Sequence, residues 1–151
     1  MAGAPGRYLG LDVGEKRIGV ALSDETATLA SPLTTLTRGG VRKDTAAAVD
    51  LAHRHEVVAV VVGLPLNMDG TRGPQAEKVL AFVEALRRRL HVPVLPRDER
   101  LTTVEAEGRL REAGLGWRER KRVIDQTAAV VILQEYLDQR AALPAATGGQ
   151  G

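Results

Sequence analysis

The sequence predicts an α/β fold whose mixed five-stranded sheet is flanked by helices. Two apolar runs are joined by a short turn, a later run of valines is unbroken, and segments of helical periodicity separate the remaining strands. The short turn predicts an antiparallel hairpin. The valine run is typical of a parallel strand that is covered on both faces, and the intervening helices predict right-handed crossovers. The expected sheet therefore combines a hairpin, an edge strand and parallel strands.

The first three strands are predicted within the N-terminal quarter of the chain. Tyr8–Val13 and Arg17–Ser23 form the hairpin, and residues 14–16 form its turn. A weaker strand covers residues 28–36 and contains Pro32. Because proline cannot donate a hydrogen bond to a neighbouring strand, this strand is expected at an edge or in an irregular conformation.

Helices and strands alternate along the rest of the chain, with apolar side chains at helical spacing in each predicted helix. Pro74 is a favourable first-turn residue, and Thr102 with Glu105 has the form of a capping box. The expected elements are a helix at 41–55, a strand at 57–63, a helix at 74–90, a strand at 92–98, a helix at 102–113 and a helix at 121–139.

Length and composition limit the class of protein. The 151 residues suit one domain, expected at 1–143, followed by a small, glycine-rich tail at 144–151 that is expected to be disordered. The absence of cysteine excludes disulfides and thiolate metal sites. No apolar stretch reaches membrane-spanning length. The cytoplasm is therefore the expected location. The clustered arginines suit phosphate, whereas 3% aromatic residues argue against a stacking platform for bases.

Asp12 ends an apolar run in the stretch "GLDVGEKRIGVALSDE". Alternation along the strand puts it on the face of Tyr8 and Gly10, where the missing side chain of Gly10 is expected to leave room beside it. An aspartate at a strand end is also commonly a turn or capping residue. In a sheet with parallel strands, however, ligands bind outside the carboxyl ends, which is where Asp12 is expected.

Two further segments bring acids toward the same edge. Asp98 ends the last predicted strand and Glu99 follows it, and Asp125 lies inside an apolar helix on the side expected to face the sheet. The acids and threonines of residues 98–103 are also typical of a helix N-terminus. Asp125 needs an arginine partner, such as Arg100 or Arg122, or a metal ion, because a buried carboxylate is costly alone.

Together these acids predict an oxygen-only metal site without cysteine or paired histidines. Such a site suits Mg²⁺ or Mn²⁺, and two ions about 4 Å apart can activate water and stabilise a leaving oxygen in phosphodiester hydrolysis. By hypothesis, the substrate is held by Lys16, Arg17 and Arg100, by Asn67 in the loop at 63–73, and by Thr102.

The chain resembles the YqgF/RuvX family. The segments "GLDVGEKRIGVALSD", "VVGLPLNMDGT", "DERLTT" and "VIDQTAAVVIL" occur in the family's order and spacing, and the resemblance covers nearly all of residues 7–137. It implies a ribonuclease H-like fold related to resolvases of the RuvC type. It also implies resolution of Holliday junctions or trimming of the 5′ end of pre-16S ribosomal RNA. By position, Asp12, Glu99 and Asp125 are the expected catalytic metal ligands, with Asp98 as a supporting neighbour.

Two other functions are compatible with the sequence. The protein is alternatively a nucleic-acid-binding or ribosome-assembly factor without catalysis, in which the acids only stabilise the fold. An actin-like ATP-binding module is a weaker alternative, since the first motif also resembles a phosphate loop but no second Asp-x-Gly-Gly loop follows. A homodimer is expected if the substrate is a symmetric four-way junction, whereas RNA end trimming needs one copy.

Overall fold

The computed structural model describes residues 6–98 and a helix at residues 117–142, of which the side chains from 128 to 141 are described. In this part of the chain the sheet has the strand order β3-β2-β1-β4-β5. β1 is antiparallel to β2 and parallel to β4, which is parallel to β5. The predicted mixed five-stranded α/β fold is thereby confirmed. The elements are β1 (Tyr8–Val13), β2 (Arg17–Ser23), β3 (Ala30–Thr37), α1 (Val41–Arg54), β4 (Ala59–Leu64), α2 (Pro74–Arg89), β5 (Val94–Asp98) and α3 (Trp117–Ala142).

Helices cover both faces of the sheet. α1 and α2 pack on one face in a cluster that includes Leu9 and Leu11, and α3 packs on the other face with Tyr8. In β4, Val60 and Val62 belong to the first cluster and Val61 to the second. The valine run is therefore buried on both faces, as the sequence predicted.

The hairpin and the edge strand also agree with the sequence. β1 and β2 have the predicted bounds, and the turn between them closes with a hydrogen bond from the Gly14 amide to the Arg17 carbonyl, 2.8 Å. β3 lies at the edge of the sheet, and its pairing with β2 shifts register next to Pro32. The proline is thus accommodated by an edge position and an irregular ladder.

β4 begins at Ala59, two residues later than predicted, because the preceding residues end α1. The amide of Val57 donates to the carbonyl of Ala52 and that of Glu56 to His53, with Glu56 at a φ of 50°. This is the hydrogen-bond pattern of a Schellman motif. Val57 is therefore buried against the end of a helix, and its apolar character does not indicate strand pairing.

The remaining bounds differ at element ends. β5 begins at Val94 where the sequence predicted residue 92, and α3 extends beyond the predicted 121–139 at both ends. The helix predicted at 102–113 and the tail at 144–151 lie outside the described residues. Within the described helices, no stretch is both long and apolar enough to cross a membrane.

Candidate active site

Asp12 lies at the carboxyl end of the central strand β1. It is half-buried and pairs in register with Gly19 of β2. On the other side Leu11 is aligned with Val62 of β4, so Gly63 follows at the level of Asp12. The strand positions on both sides of Asp12 therefore contribute no side chain to its surroundings.

The space expected beside Gly10 is filled by helix α3, so that expectation was wrong. A Cβ atom at Gly10 would lie 2.8 Å from Cβ of Leu133 and 3.2 Å from the carbonyl oxygen of Ala129. The missing side chain thus serves a close approach of helix and strand rather than a ligand. This contact docks α3 onto the strand that carries Asp12.

The direction of α3 across β1 follows from three contacts on this face. Leu133 and Ala129 lie against Gly10, whereas Tyr136 stacks on Tyr8 with ring centroids 5.7 Å apart. Arg140 lies over the Tyr8 ring at 5.3 Å. The later residues of α3 thus lie against the earlier residue of β1, so α3 runs antiparallel to β1.

We expect Gly10→Ala to lower the free energy of unfolding by about 1 to 3 kcal/mol, because the added methyl group forces helix and strand apart. Gly39→Ala is the matched control. A Cβ atom there would approach Lys43, whose side chain is flexible, at 2.7 Å. Urea unfolding followed by circular dichroism measures both changes. Equal losses in the two variants would contradict the close helix–strand contact.

β4 and β5 end at the same edge of the sheet as β1. The side chains at their ends lie alternately on the two faces of the sheet. Gly63 is aligned with Arg97 and Leu64 with Asp98. Asp98 shares the face of Val94, which packs in the cluster with α1 and α2. Asp98 therefore lies on the face opposite to Asp12, although both belong to the same edge.

Arg97 lies on the α3 face. Its guanidinium carbon is 5.8 Å from the ring centre of Tyr136, a cation–π contact. Burial raises the pKa of Tyr136, so the phenol stays neutral. Among the described residues, the buried Nε of Arg97 finds no hydrogen-bond partner. No pattern in the sequence indicated this contact between Arg97 and Tyr136.

The turn that follows Asp12 is held from two sides. Arg38 donates from its guanidinium to the carbonyl of Gly14, 2.6 Å, and from its amide to the carbonyl of Lys16, 2.9 Å. The side chain of Gln75 donates to the carbonyl of Val13 at 3.4 Å. The exposed side chains of Lys16 and Arg17, predicted to bind substrate, thus extend from an anchored turn.

Asp44 completes this support from the first turn of α1. Its Oδ2 lies 2.6 Å from Nε of Arg38, and its Oδ1 accepts from the amide of Gly39 at 2.9 Å. Asp44 is 2% exposed. Sequence reasoning missed both partners, because an acid in the first turn of a helix is ordinary and Arg38 lies in no motif.

The loop after β4 is closed by its own hydrogen bonds. Nδ2 of Asn67 donates to Oγ1 of Thr71, and the amide and hydroxyl of Thr71 donate to Oδ1 of Asp69. A Cβ atom at Gly73 would lie 3.1 Å from Oδ1 of Asn67. Asn67, predicted to bind substrate, therefore shapes the loop with its amide, while Met68 is 74% exposed beside it.

Several predicted site residues fall outside the described part of the chain. These are Glu99, Arg100, Thr102 and the side chain of Asp125. Among the described side chains, no group of three or more acids, histidines or cysteines is close enough to hold a metal ion. The described residues include Asp12 and its surroundings, and the metal-ligand role of all three acids stays a prediction.

Solved structures with a similar chain path define the class of fold. The chain matches Thermus thermophilus RuvC in complex with a Holliday junction substrate with a TM-score of 0.61 and 21% identity, over 90% of this chain and 96% of that one. It matches the fowlpox virus resolvase in complex with Holliday junction DNA with a TM-score of 0.55 and 11% identity, over 89% and 98%. The fold is therefore ribonuclease H-like, as in these resolvases.

The sequence pattern described as "RuvX: Holliday junction resolvase" matches residues 6–139. A relative from Thermoanaerobacter pseudethanolicus, named "Putative pre-16S rRNA nuclease", is 50% identical over 135 residues, which are 89% of this chain and 97% of the relative. One of the same name from Moorella thermoacetica is 53% identical over 133 residues, 88% and 95%. The chain belongs to the RuvX family, also called YqgF, and is an enzyme of the phosphodiester-hydrolysing nuclease class.

Proposed function

We propose that this nuclease hydrolyses phosphodiester bonds of structured nucleic acid with divalent metal ions held by Asp12, Glu99 and Asp125. The observation that carries the proposal is the place of Asp12, half-buried at the carboxyl end of the central strand with glycines aligned on both sides. The neighbouring strands contribute no side chain at this level, and a carboxylate oxygen is the kind of ligand that Mg²⁺ prefers.

The path of α3 supports a role for Asp125. α3 runs antiparallel to β1, with Ala129 at Gly10. Four helical residues toward its N-terminus, about 6 Å, lead to position 125, and two strand residues, about 6.7 Å, lead from Gly10 to Asp12. Helix and strand thus bring positions 125 and 12 toward the same edge, which is the arrangement that a shared ion requires.

We prefer Glu99 to Asp98 as the third ligand because successive residues of a strand face opposite sides of the sheet. Asp98 lies on the face opposite to Asp12, which suits the supporting role predicted for it and not direct coordination beside Asp12. The next residue in the sequence is an acid. Three carboxylates form the donor set that Mg²⁺ and Mn²⁺ prefer.

The chain's own residues have separate parts in the proposed mechanism. Lys16 and Arg17, on the turn anchored by Arg38, hold the phosphates next to the bond that is cut, with Asn67, Arg100 and Thr102 as further substrate contacts. When bound, two divalent ions would supply an activated water and charge stabilisation for the leaving oxygen. Water adds to phosphorus and loses a proton to the solvent, the bond between phosphorus and the leaving oxygen breaks, and the leaving oxygen takes up a proton.

Two substrates are proposed, a Holliday junction and the 5′ end of pre-16S ribosomal RNA, both located in the cytoplasm. A junction is cut most simply by a two-fold homodimer, whereas RNA end trimming needs one copy. Cleavage assays on a four-way DNA junction, a DNA duplex, single strands and precursor RNA, each with Mg²⁺ and with Mn²⁺, separate the two. Light scattering with and without the substrate that is cut gives the number of copies.

We expect Mn²⁺ to stabilise the folded protein, because the folded chain gathers acids that the unfolded chain disperses. At about 100 times the dissociation constant, the gain is ~2.7 kcal/mol, or about 5 to 10 °C in the melting temperature. The gain should fall in Asp12→Asn and persist in the control Asp50→Asn, which changes an exposed acid of α1. An equal gain in Asp12→Asn would contradict this site, whereas the absence of any gain in the wild type would favour the factor without catalysis.

A further inference from the structure

A shallow groove of about 540 Å³ lies between α1 and α2, on the face of the sheet opposite to Asp12. Three of its lining residues are arginines with exposed side chains. The groove is lined by Val41, Arg42, Thr45, Ala85, Arg88 and Arg89. It therefore presents a concentration of positive charge at a distance from the proposed catalytic edge.

The arginines of the groove differ from other arginines of α1 and α2. Arg54 pairs with Asp50 at 2.8 Å, and Arg87 pairs with Glu84 at 2.8 Å. In the part of the chain that the structure describes, Arg42, Arg88 and Arg89 make no ion pair and no hydrogen bond through their side chains. The groove thus has three arginines and no acid among its lining residues, and such a concentration of one sign of charge attracts anions.

Helix stability does not explain this placement fully. Arg88 and Arg89 lie in the last turn of α2, where cations complement the helix dipole. Arg42 is the second residue of α1, where a cation opposes the dipole instead. Asp44, the acid in the same turn, is already buried against Arg38. Arg42 therefore costs α1 stability and needs another reason to be there.

We propose that this groove binds the phosphate backbone of the nucleic-acid substrate outside the active site. The guanidinium group can bind phosphate through two hydrogen bonds. The three arginines are exposed and the groove is open, so a small anion there stays hydrated. A polyanion gains in addition from the release of its condensed counterions. A backbone is thus the anion that fits.

The proposal deepens the proposed function, because the ligand is the substrate of the same enzyme. A substrate with several helical arms can contact Asp12 on one face of the sheet with one arm and the arginine groove on the other face with a second arm. A single short duplex engaged at the catalytic edge gains less from the groove. The groove therefore favours branched or folded nucleic acid over a simple strand.

Salt dependence of binding tests this contact directly. The full-length protein is titrated against a labelled four-way DNA junction and a labelled RNA hairpin in EDTA, so that cleavage is absent. With the nucleic acid that binds more tightly, the triple variant Arg42→Gln/Arg88→Gln/Arg89→Gln should have a less steep salt dependence. The magnitude of the negative slope of log K against log salt should decrease by between about 2 and 3, since each phosphate contact on a duplex contributes about 0.9.

The controls separate the groove from net charge and from catalysis. Arg42→Gln, Arg88→Gln and Arg89→Gln are also made singly, and the salt slope of each is compared with that of Arg54→Gln, which removes the same charge from an exposed pair on α1. Thermal melting verifies that all variants fold. A slope in the triple variant equal to that of the wild type would overturn the proposal. A change in slope in Arg54→Gln as large as that in the single groove variants would also overturn it.

The remaining outcome of the test is that the arginine groove binds a small ligand and not the polymer. Calorimetry with a mononucleotide would then give a saturable signal that the triple variant loses, while the salt slope for the polymer stays unchanged, and this result would also overturn the proposal. Failure of the proposed function has a different signature, namely cleavage that persists when Asp12 is changed.

Discussion

Asp12→Asn is expected to lower the rate of cleavage at least about 1,000-fold, equivalent to ~4 kcal/mol of transition-state stabilisation. The amide is neutral and a poorer metal ligand, so the charge stabilisation that the proposed divalent ions would supply is lost. Asparagine has nearly the same shape as aspartate, and the half-buried side chain at the end of β1 keeps its place. The effect should therefore fall on catalysis and leave the fold intact.

Nucleic-acid binding in EDTA should stay within about twofold of wild type in this variant, because phosphate contacts come from cations that remain. Asp50→Asn removes the same charge from an exposed pair in α1 and should retain full activity. Single-turnover cleavage with purified protein measures the rate. More than a tenth of the wild-type rate in Asp12→Asn, with contaminating nuclease excluded, would contradict the assigned catalytic role.

Asp44→Ala is expected to cost about 3 kcal/mol of the free energy of unfolding, near the lower end for a broken buried ion pair. Its carboxylate is 2% exposed and accepts from both Arg38 and the amide of Gly39. The change leaves both donors without their acceptor. The cost is near the lower end because Arg38 retains partial access to water, with 23% of its side chain exposed.

Asp50→Ala is the matched control, since its pair with Arg54 is exposed and should contribute less than about 0.5 kcal/mol. Arg38→Met/Asp44→Leu should recover part of the loss, because removing both charges leaves no uncompensated charge, although the Gly39 amide still lacks its acceptor. Urea unfolding of the four proteins gives the comparison. A loss below about 1 kcal/mol in Asp44→Ala would show that the pair does not anchor the turn after Asp12.

The sequence predicted those parts of the fold in which local periodicity and burial agree. The hairpin strands were predicted to the residue, and the unbroken valines of β4 are buried on both faces. The start of β4 was wrong because Val57 is apolar for a different reason, its contact with the end of α1. Apolar character alone does not distinguish a helix cap from a strand.

The candidate site was predicted only where strand topology determines position. The end of β1 indicated Asp12, and parallel strands indicated the edge. The pairing of Arg38 with Asp44 and the stacking of Arg97 on Tyr136 depend on contacts between distant segments, which no local pattern encodes. The role of Gly10 was misread for the same reason, because a missing side chain in a sequence can serve a ligand or a neighbouring helix.

The seating of α3 on β1 has a consequence for synthesis of the chain. Tyr8, Ala21 and Val61 are covered by side chains that come from the last described helix. While a ribosome is still translating that helix, the sheet face beside Asp12 is uncovered and the edge lacks position 125, which we propose as a metal ligand. Under the proposed function, a nascent chain therefore does not cleave the nucleic acid around it until this helix has emerged and packed.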